Sequence, residues 1–202
     1  MESPDSQVPG IDQRTEERRS GMMYRNVVAA VVRALAAETI NSAGGCDFEP
    51  KVQCAKQKGE IVGKEAAFLT DCWVFGRLHK ALSPEQWRAL VAKFSTHTER
   101  KHAAITEITK QYRSPAPERF RHCAIVTWAM PKLPGVEGKR STNVLPATWY
   151  EMDNWSDDPH PIKTQERWRR DIRKGLESMV DVALTEAQHI LEAEGILIAD
   201  CA

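Results

Sequence analysis

The sequence predicts a mainly α-helical protein. Apolar residues recur at the three- and four-residue spacing of amphipathic helices along most of the chain, helix-capping residues and glycines flank these segments, and almost no alternating strand pattern occurs. With 202 residues, of which 42% are hydrophobic, the chain can bury a sizeable core. We therefore expect a helical protein with a central loop rich in proline and glycine and a long helix near its C-terminus.

The N-terminal part is predicted to be a tail followed by a helix. Residues 1–20 are rich in proline, serine and charged residues and lack apolar periodicity, so we expect a mobile tail. A helical body, 21–130, then begins with a helix that ends before Gly44 and Gly45, and a polar loop follows at 46–59. The apolar stripe of this helix comprises Met23, Val27, Val28, Val31, Leu35 and Ile40.

Two further helices follow in the body. One is expected from about Ile61 to Ala81, and its predicted buried side consists of Phe68, Leu69, Cys72, Trp73, Phe75 and Leu78. The next, 83–94, starts with Ser83 as N-cap, Pro84 at the first helical position and Gln86 completing a capping box. Its apolar residues are Trp87, Leu90, Val91 and Phe94.

Two more helices complete the body. The segment 98–112 is predicted to turn Ala104, Ile105, Ile108 and Tyr112 inward and to carry Arg100, Lys101 and Lys110 on its other face. Another helix begins near residue 115 and runs through Val126 and Trp128 to Pro131.

The helical pattern breaks at 131–146, PKLPGVEGKRSTNVLP, which contains three prolines, two glycines and the basic residues Lys132, Lys139 and Arg140. A loop of this length without secondary structure is uncommon in a compact domain and is usually functional or disordered. Because helical segments flank it on both sides, we favour the functional interpretation.

The C-terminal region, 147–202, is predicted to contain a short helix, a turn and a long helix. The short helix, 147–155, has Trp149, Met152 and Trp155 on one side, and 156–162 forms the turn. Thr164 is predicted to cap the long helix, which runs for about 30 residues, or roughly 45 Å at 1.5 Å per residue, and ends at Gly195. Its apolar stripe comprises Trp168, Ile172, Leu176, Met179, Ala183, Leu184, Ala187, Ile190 and Leu191.

Charge is unevenly distributed although the chain is neutral, with 28 Lys and Arg against 28 Asp and Glu. Residues 86–145 contain eleven basic and four acidic residues, a local charge of +7. The segment 163–174 contains six basic and two acidic residues, whereas 175–202 contains six acidic residues and no Lys or Arg. Basic residues near a helix N-terminus oppose the helix dipole, which favours a functional reason for the cluster over a merely solvated helix face.

A short helix, a turn and a second helix with basic first turns together resemble a helix-turn-helix unit, whose second helix enters the major groove of DNA. The turn is longer than usual and contains prolines instead of glycine. Four of the six basic residues are arginines, which bind phosphate and guanine in bidentate fashion. The predicted DNA-binding residues are Lys163, Thr164, Gln165, Glu166, Arg167, Arg169, Arg170, Arg173 and Lys174. A solvated basic helix end remains the alternative.

Other functions find less support in the sequence. The common hydrolase, metalloprotease, phosphate-loop and dinucleotide-binding motifs are missing. Cys46 and Cys54 with His97, His102 or His122 could form a zinc site, but the closely spaced ligand pairs of structural zinc do not occur. His122 beside Cys123 could suggest a catalytic nucleophile with its base, but the side chains of neighbouring residues on a helix point apart.

A second possible metal site is an acidic group around the turn, formed by Asp153, Asp157, Asp158 and His160, although such a cluster is more often a solvated turn. We predict no cofactor and no metal. The chain has no apolar run of about 18 residues and begins without an apolar signal core, so we expect a cytoplasmic protein without a membrane partner.

Several stretches resemble a known family. They are 87-WRALVAKFSTHTERKHAAI-105, 128-WAMPKLPG-135 with 139-KRSTNVLP-146, 148-TWYEMDNW-155 and 165-QERWRRDIRKGLE-177. From about Ile61 to the C-terminus the chain is similar to the Q-like late-gene transcription antitermination factors of phages and prophages, the AlpA-like proteins in particular. The paired-cysteine zinc motif of some Q factors is missing from this chain.

The resemblance implies a mechanism. Such a factor binds a promoter-proximal element of double-stranded DNA through a C-terminal helix-turn-helix. It loads onto bacterial RNA polymerase with its sigma factor and narrows the RNA exit channel around the nascent RNA, so that polymerase reads through terminators. The helix from Thr164 would read DNA. The exit-channel loop would comprise Lys132, Leu133, Pro134, Gly135, Lys139, Arg140, Ser141, Thr142 and Asn143.

Two alternatives remain open from the sequence. The first is a simple helix-turn-helix DNA-binding regulator that does not load onto polymerase and uses the proline-rich loop as a linker. The second is a metal-dependent enzyme of unknown substrate.

Overall fold

The computed structural model describes residues 24–42, 64–132, 145–158 and 160–197. Within these ranges the chain forms six α-helices and no named strand, which confirms the mainly α prediction. The helices are α1 (Val27–Ser42), α2 (Lys64–Ala81), α3 (Pro84–Phe94), α4 (Thr98–Gln111), α5 (Glu118–Ala129) and α6 (Ile162–Ala193). Two short 3-10 helices, Ala147–Tyr150 and Met152–Asn154, precede α6.

The long helix α6 is the element around which the others pack. It contacts α1, α2, α3 and α5, while α4 packs mainly on α3 and α5. Its buried stripe continues from Ile172 through Leu176, Val180, Ala183, Ala187 and Leu191. Ala183, Ala187 and Leu191 are completely buried. The small side chains of the two alanines allow the neighbouring helices to approach α6 closely.

Local capping signals in the sequence are confirmed at two helix ends. Ser83 accepts a hydrogen bond from the Gln86 backbone N–H, and the Gln86 side chain accepts one from the Ser83 backbone N–H. Gly195 follows α6 with φ of +66°, a left-handed conformation that glycine adopts without strain. The chain then returns to the N-terminal side, where Tyr24 and Leu197 form an isolated parallel bridge.

The predicted inward faces of α1 and α2 are partly wrong. Val28, Leu69 and Trp73 are 39%, 49% and 44% exposed. Smaller residues, such as Ala30 and Ala34 of α1, fill the interface, because helix backbones approach each other most closely through small side chains.

One polar residue occupies the interface between α1 and α2. Asp71 is buried because the Tyr24 hydroxyl donates a hydrogen bond to its carboxylate and Arg33 pairs with the same group at 3.1 Å. A buried carboxylate with two partners avoids most of the cost of desolvation. Apolar spacing alone therefore identified Val31, Leu35 and Leu78 as buried but wrongly added Val28, Leu69 and Trp73.

The segment before α6 also differs from its prediction. Residues 147–155 form two 3-10 turns instead of one short α-helix. Side chains satisfy carbonyl groups that an α-helix would use, since Asn154 donates to the Thr148 oxygen at 3.3 Å and the Trp155 indole donates to the Trp149 oxygen at 2.8 Å. Thr164 is not the N-cap of α6, because the helix already begins at Ile162.

Pro161 is the actual N-cap of α6, without a side-chain capping bond. Its carbonyl accepts the backbone N–H groups of Thr164 and Gln165. Within the described residues, no helix is long and apolar enough to cross a membrane.

Candidate nucleic-acid interface

An aromatic cluster fixes the first turns of α6 against α5. The Trp168 ring packs edge-on against Phe120 and against His160, with ring centroids 5.5 Å and 4.9 Å apart. Phe120 also contacts Trp155 at 5.2 Å, and both Phe120 and Trp155 are almost fully buried. These contacts define which face of the helix is turned away from solvent.

Four cations form a line on the opposite face of α6. Lys163, Arg167, Arg170 and Lys174 are all exposed and follow one another at spacings of four, three and four residues. At 100° per residue this spacing places them along one side of the helix, away from buried Ile172 and Leu176. The line extends for about 16 Å at 1.5 Å per residue. We call these four residues the cationic stripe.

The stripe has further charged residues beside it. Arg173 and Glu166 are exposed on one flank, and Asp171 is exposed on the other. Arg170 approaches Asp171 to 3.7 Å, but both side chains are largely exposed, and such surface pairs contribute little. Arg170 can therefore exchange this contact for a phosphate.

Arg169 lies closer to the protein than the other cations. Its guanidinium carbon is 5.7 Å from the centre of the Trp155 ring, in a cation–π arrangement, although the residue remains exposed. Arg169 thus sits at the junction between the 3-10 turns and α6. A phosphate bound there would contact a guanidinium whose position is already restricted.

Two predicted contact residues are not on the exposed face. Gln165 is 7% exposed, its amide nitrogen donates to the His160 oxygen at 3.1 Å, and its side-chain oxygen is buried without a hydrogen-bond partner. It therefore belongs to the packing between the turn and α6, which corrects its prediction as a DNA contact. Thr164 is half-buried beside it.

A charge boundary lies one turn beyond the stripe. The Glu177 carboxylate accepts hydrogen bonds from Lys93 at 2.7 Å and from the Trp128 indole at 3.0 Å, and the Lys93 amine lies 4.9 Å above the Trp128 ring. Partial burial would raise the pKa of Glu177, but these hydrogen bonds outweigh it and lower that pKa. Between residues 175 and 193, α6 carries four acidic residues and no Lys or Arg.

The predicted exit-channel loop is largely outside the described residues. Leu133, Pro134, Gly135, Lys139, Arg140, Ser141, Thr142 and Asn143 all fall in 133–144. Lys132, at the start of the loop, is exposed. The residues on either side are tied together, since the Tyr150 hydroxyl donates to the Met130 oxygen at 2.8 Å.

The candidate metal and nucleophile residues are dispersed. Within the described ranges, no group of three His, Cys, Asp or Glu residues is arranged to hold a metal ion. Asp157 pairs with Arg119, and His122 faces Trp149 with ring centroids 6.3 Å apart. Burial raises the pKa of the Cys123 thiol, the opposite of what a nucleophilic cysteine requires. Cys46 and Cys54 lie outside the described residues.

Sequence reasoning missed a second group of residues, which come together where α2, α3 and α4 meet. Arg100 and His79 are exposed there, whereas Phe75, Trp87, Arg88 and Glu107 are half-buried. Phe75, Trp87, Arg88, Arg100 and Glu107 line an open cavity there, together with His79 and short apolar residues. Trp87 follows helical spacing with Leu90 and Val91 and was therefore expected in the core; it does pack against the core, and it also lines this cavity. The basic excess of 86–145 was the available signal for this surface.

Comparison with known proteins gives no assignment: no protein-family model, no curated protein and no solved structure matches this chain.

Proposed function

We propose that this chain is a DNA-binding transcription antitermination factor, which binds a promoter-proximal DNA element, loads onto RNA polymerase and allows terminator read-through by narrowing the RNA exit channel. The observation that carries the DNA-binding part is the cationic stripe. Its four cations share one exposed face, and the aromatic cluster around Trp168 holds the opposite face against the protein.

The dimensions of the stripe suit a duplex. The major groove is about 12 Å wide and admits an α-helix. A single line of cations about 16 Å long can follow one phosphate backbone, while Arg173 and Glu166 on its flank lie where base edges would be reached. Because the elements before α6 are 3-10 turns, the helix would be presented by α5 and these turns instead of by the two-helix unit expected from sequence.

The step from DNA binding to antitermination rests on the family resemblance and on the composition of 131–146. Proline restricts backbone conformations, and the basic residues Lys132, Lys139 and Arg140 suit RNA phosphates. A loop with these properties would be suited to a narrow passage for RNA.

DNA binding can be tested by charge reversal with a matched control. A duplex ligand selected from a random-sequence library would be titrated with the wild-type chain and with Arg167→Glu/Arg170→Glu. We expect the double variant to lose at least about tenfold in affinity and to show a weaker salt dependence, since each lost phosphate contact removes roughly 0.9 from the logarithmic salt slope.

The control is Arg25→Glu/Lys80→Glu, which changes net charge by the same amount at two exposed positions outside α6. It should bind DNA as the wild type does. Equal losses in both double variants would contradict a specific role for α6. Alanine at Arg169 or Arg173 should each cost on the order of 1–3 kcal/mol if the residue reads a base.

Antitermination is tested separately by transcription with purified polymerase and sigma factor on a template carrying the factor's own late promoter and a downstream terminator. Deleting 132–143 should abolish read-through and leave duplex affinity unchanged. Duplex binding without read-through by the intact chain would instead favour the simple DNA-binding regulator. Metal-dependent turnover, with neither activity, would favour the enzyme alternative.

A further inference from the structure

Three aromatic rings form a corner between α2 and α3. The Trp87 ring stands nearly perpendicular to those of Phe75 and His79, with centroid distances of 5.1 Å in both cases. Phe75 and His79 lie one turn apart on α2, and their rings are parallel with centroids 6.1 Å apart. The rings line an open cavity of about 490 Å³, which falls in the size range of sites for small ligands.

Three charged side chains complete this cavity. The Arg100 guanidinium lies 5.3 Å over the Phe75 ring. Arg88 donates one N–H to Gln111 at 3.1 Å, and a guanidinium has five N–H donors, so it retains the capacity to bind an anion. Glu107 accepts a hydrogen bond from Lys110 at 2.8 Å, which lowers the pKa of Glu107 and keeps its carboxylate an acceptor at neutral pH.

We propose that this cavity, called here the aromatic cavity, binds an unpaired nucleotide of single-stranded nucleic acid. A base has flat faces that stack on aromatic side chains. Its phosphate matches the guanidinium groups of Arg88 and Arg100. The N–H groups at the edge of a base match the Glu107 carboxylate, as carboxylates accept hydrogen bonds from base amino groups.

The combination of groups argues against simpler ligands. An apolar ligand would make no use of the remaining N–H donors of Arg88 or of the Glu107 carboxylate. A bare anion would not use the three rings and would be repelled by Glu107. The charged residues of the lining, Arg88, Arg100 and Glu107, leave a net charge of +1 at the cavity, which favours an anionic ligand.

The aromatic cavity and the cationic stripe would serve different forms of nucleic acid. The stripe lies on α6 and suits the backbone of a duplex, whereas the cavity lies among α2, α3 and α4 and needs a base that is not paired. This inference goes beyond the proposed function and does not depend on antitermination.

The test uses the full chain carrying Arg167→Glu/Arg170→Glu, so that the cationic stripe contributes little. A fluorescein-labelled single-stranded oligoribonucleotide of roughly eight adenines and guanines, within the usual site size of such proteins, serves as the probe for anisotropy. We expect tighter binding of the single strand than of the corresponding duplex. In this background, Trp87→Leu should weaken single-strand binding about tenfold or more, as loss of a stacking ring does.

The chain offers a matched control in Trp73, which is 44% exposed on α2 and does not line the cavity. Trp73→Leu should leave single-strand affinity unchanged. If Trp87→Leu fails to fold, His79→Ala and Arg88→Ala replace it, and each should weaken binding several-fold.

Four results would overturn the proposal. The first is equal affinity for the single strand and the duplex. The second is an equal loss of single-strand affinity in Trp87→Leu and Trp73→Leu. The third is that inorganic polyphosphate displaces the probe as effectively as unlabelled oligonucleotide does. The fourth is stronger displacement by an acidic peptide with one aromatic residue than by the oligonucleotide, which would identify the cavity as a protein-binding site.

Discussion

Tyr112 lies directly against Gly175, where the end of α4 meets α6. The Tyr112 hydroxyl donates a hydrogen bond of 3.4 Å to the Ile172 oxygen. A Cβ at position 175 would contact the Tyr112 ring carbons at 3.1 Å and 3.3 Å and would overlap the hydroxyl. Gly175 therefore allows Tyr112 to approach α6 at the end of its basic segment.

We expect Gly175→Ala to destabilise the protein although alanine normally favours a helix by about 1 kcal/mol over glycine. The displaced Tyr112 ring should lower the free energy of unfolding by about 1 kcal/mol net, measured by urea denaturation. Tyr112→Phe should reduce the penalty in a double-mutant cycle. Gly76→Ala on α2 is the control, since nothing lies within 4 Å of a Cβ added at position 76. This variant should raise the free energy of unfolding. Similar gains in both alanine variants would contradict the close packing.

Glu177→Gln should lower the free energy of unfolding by about 1 kcal/mol at pH 7, because the charge-assisted hydrogen bonds from Lys93 and Trp128 are weakened. The folded-state pKa of Glu177 is lowered, so its stabilising contribution is present above the ordinary value of 4.5 and is lost as pH falls through the folded value. Urea titrations of both proteins at several acid pH values should therefore converge. Glu166→Gln, at an exposed position of the same helix, should leave the free energy of unfolding unchanged at pH 7 and at the acid pH values.

Lys101 should make stability depend on pH in the alkaline range. Its amine donates to the Lys93 and Ser95 oxygens, both at 3.3 Å, and burial with the nearby charge of Lys93 lowers the pKa of Lys101 from 10.5 to about 8. Between these values the unfolded chain binds more protons, so stability from this group rises with pH.

The measurement compares unfolding free energies of the wild type and Lys101→Met at pH 7, 8, 9 and about 10. As pH rises, the free energy of unfolding of the wild type should increase relative to that of the variant. The increase should be a fraction of the roughly 1.4 kcal/mol per pH unit that a difference of one full proton gives. Burial and the hydrogen bond to Asp71 raise the pKa of Tyr24, which opposes stability above its ordinary value of 10.0, but this contribution cancels in the comparison. A constant difference across the range would show that Lys101 is normally solvated.

Gln165→Met should leave duplex affinity within about a factor of two, because the Gln165 side chain is buried between His160 and α6. Its effect on stability should also be small, since the loss of one hydrogen bond is offset by removal of a buried oxygen without a partner. Arg170→Met, on the cationic stripe, should weaken binding several-fold. The two affinities, measured by anisotropy at one salt concentration, distinguish the buried residue from its exposed neighbour.

Local chemistry predicted several features of this fold correctly. The capping box of Ser83 and the stop at Gly195 depend on a few adjacent residues and were found where expected. The exposure of the basic residues of α6 followed from their register relative to Ile172 and Leu176. By contrast, Trp73 and Leu69 were assigned to the core from the spacing of apolar residues, whereas Asp71 is the buried residue on that part of α2. Its partners are Tyr24, which precedes α1, and Arg33 on α1, and no pattern within α2 could reveal them.

The aromatic cavity shows the same limit at a candidate site. Phe75, Trp87 and Arg100 come from three helices, and the spacing of Trp87 is also that of a core residue. Whether such a ring faces a core or a cavity depends on how far apart the helices pack. The register of one helix does not contain that information. The cationic stripe was accessible to sequence reasoning because it lies on a single helix.

The split of α6 into a basic start and an acidic remainder gives this helix a large electric dipole moment. The helix backbone contributes in the same direction, because its positive end is at Ile162. In the field of a polyanion α6 therefore contributes a torque that turns this end forward before contact. The alignment acts over roughly one Debye length, about 8 Å at physiological ionic strength, so added salt should slow productive encounters.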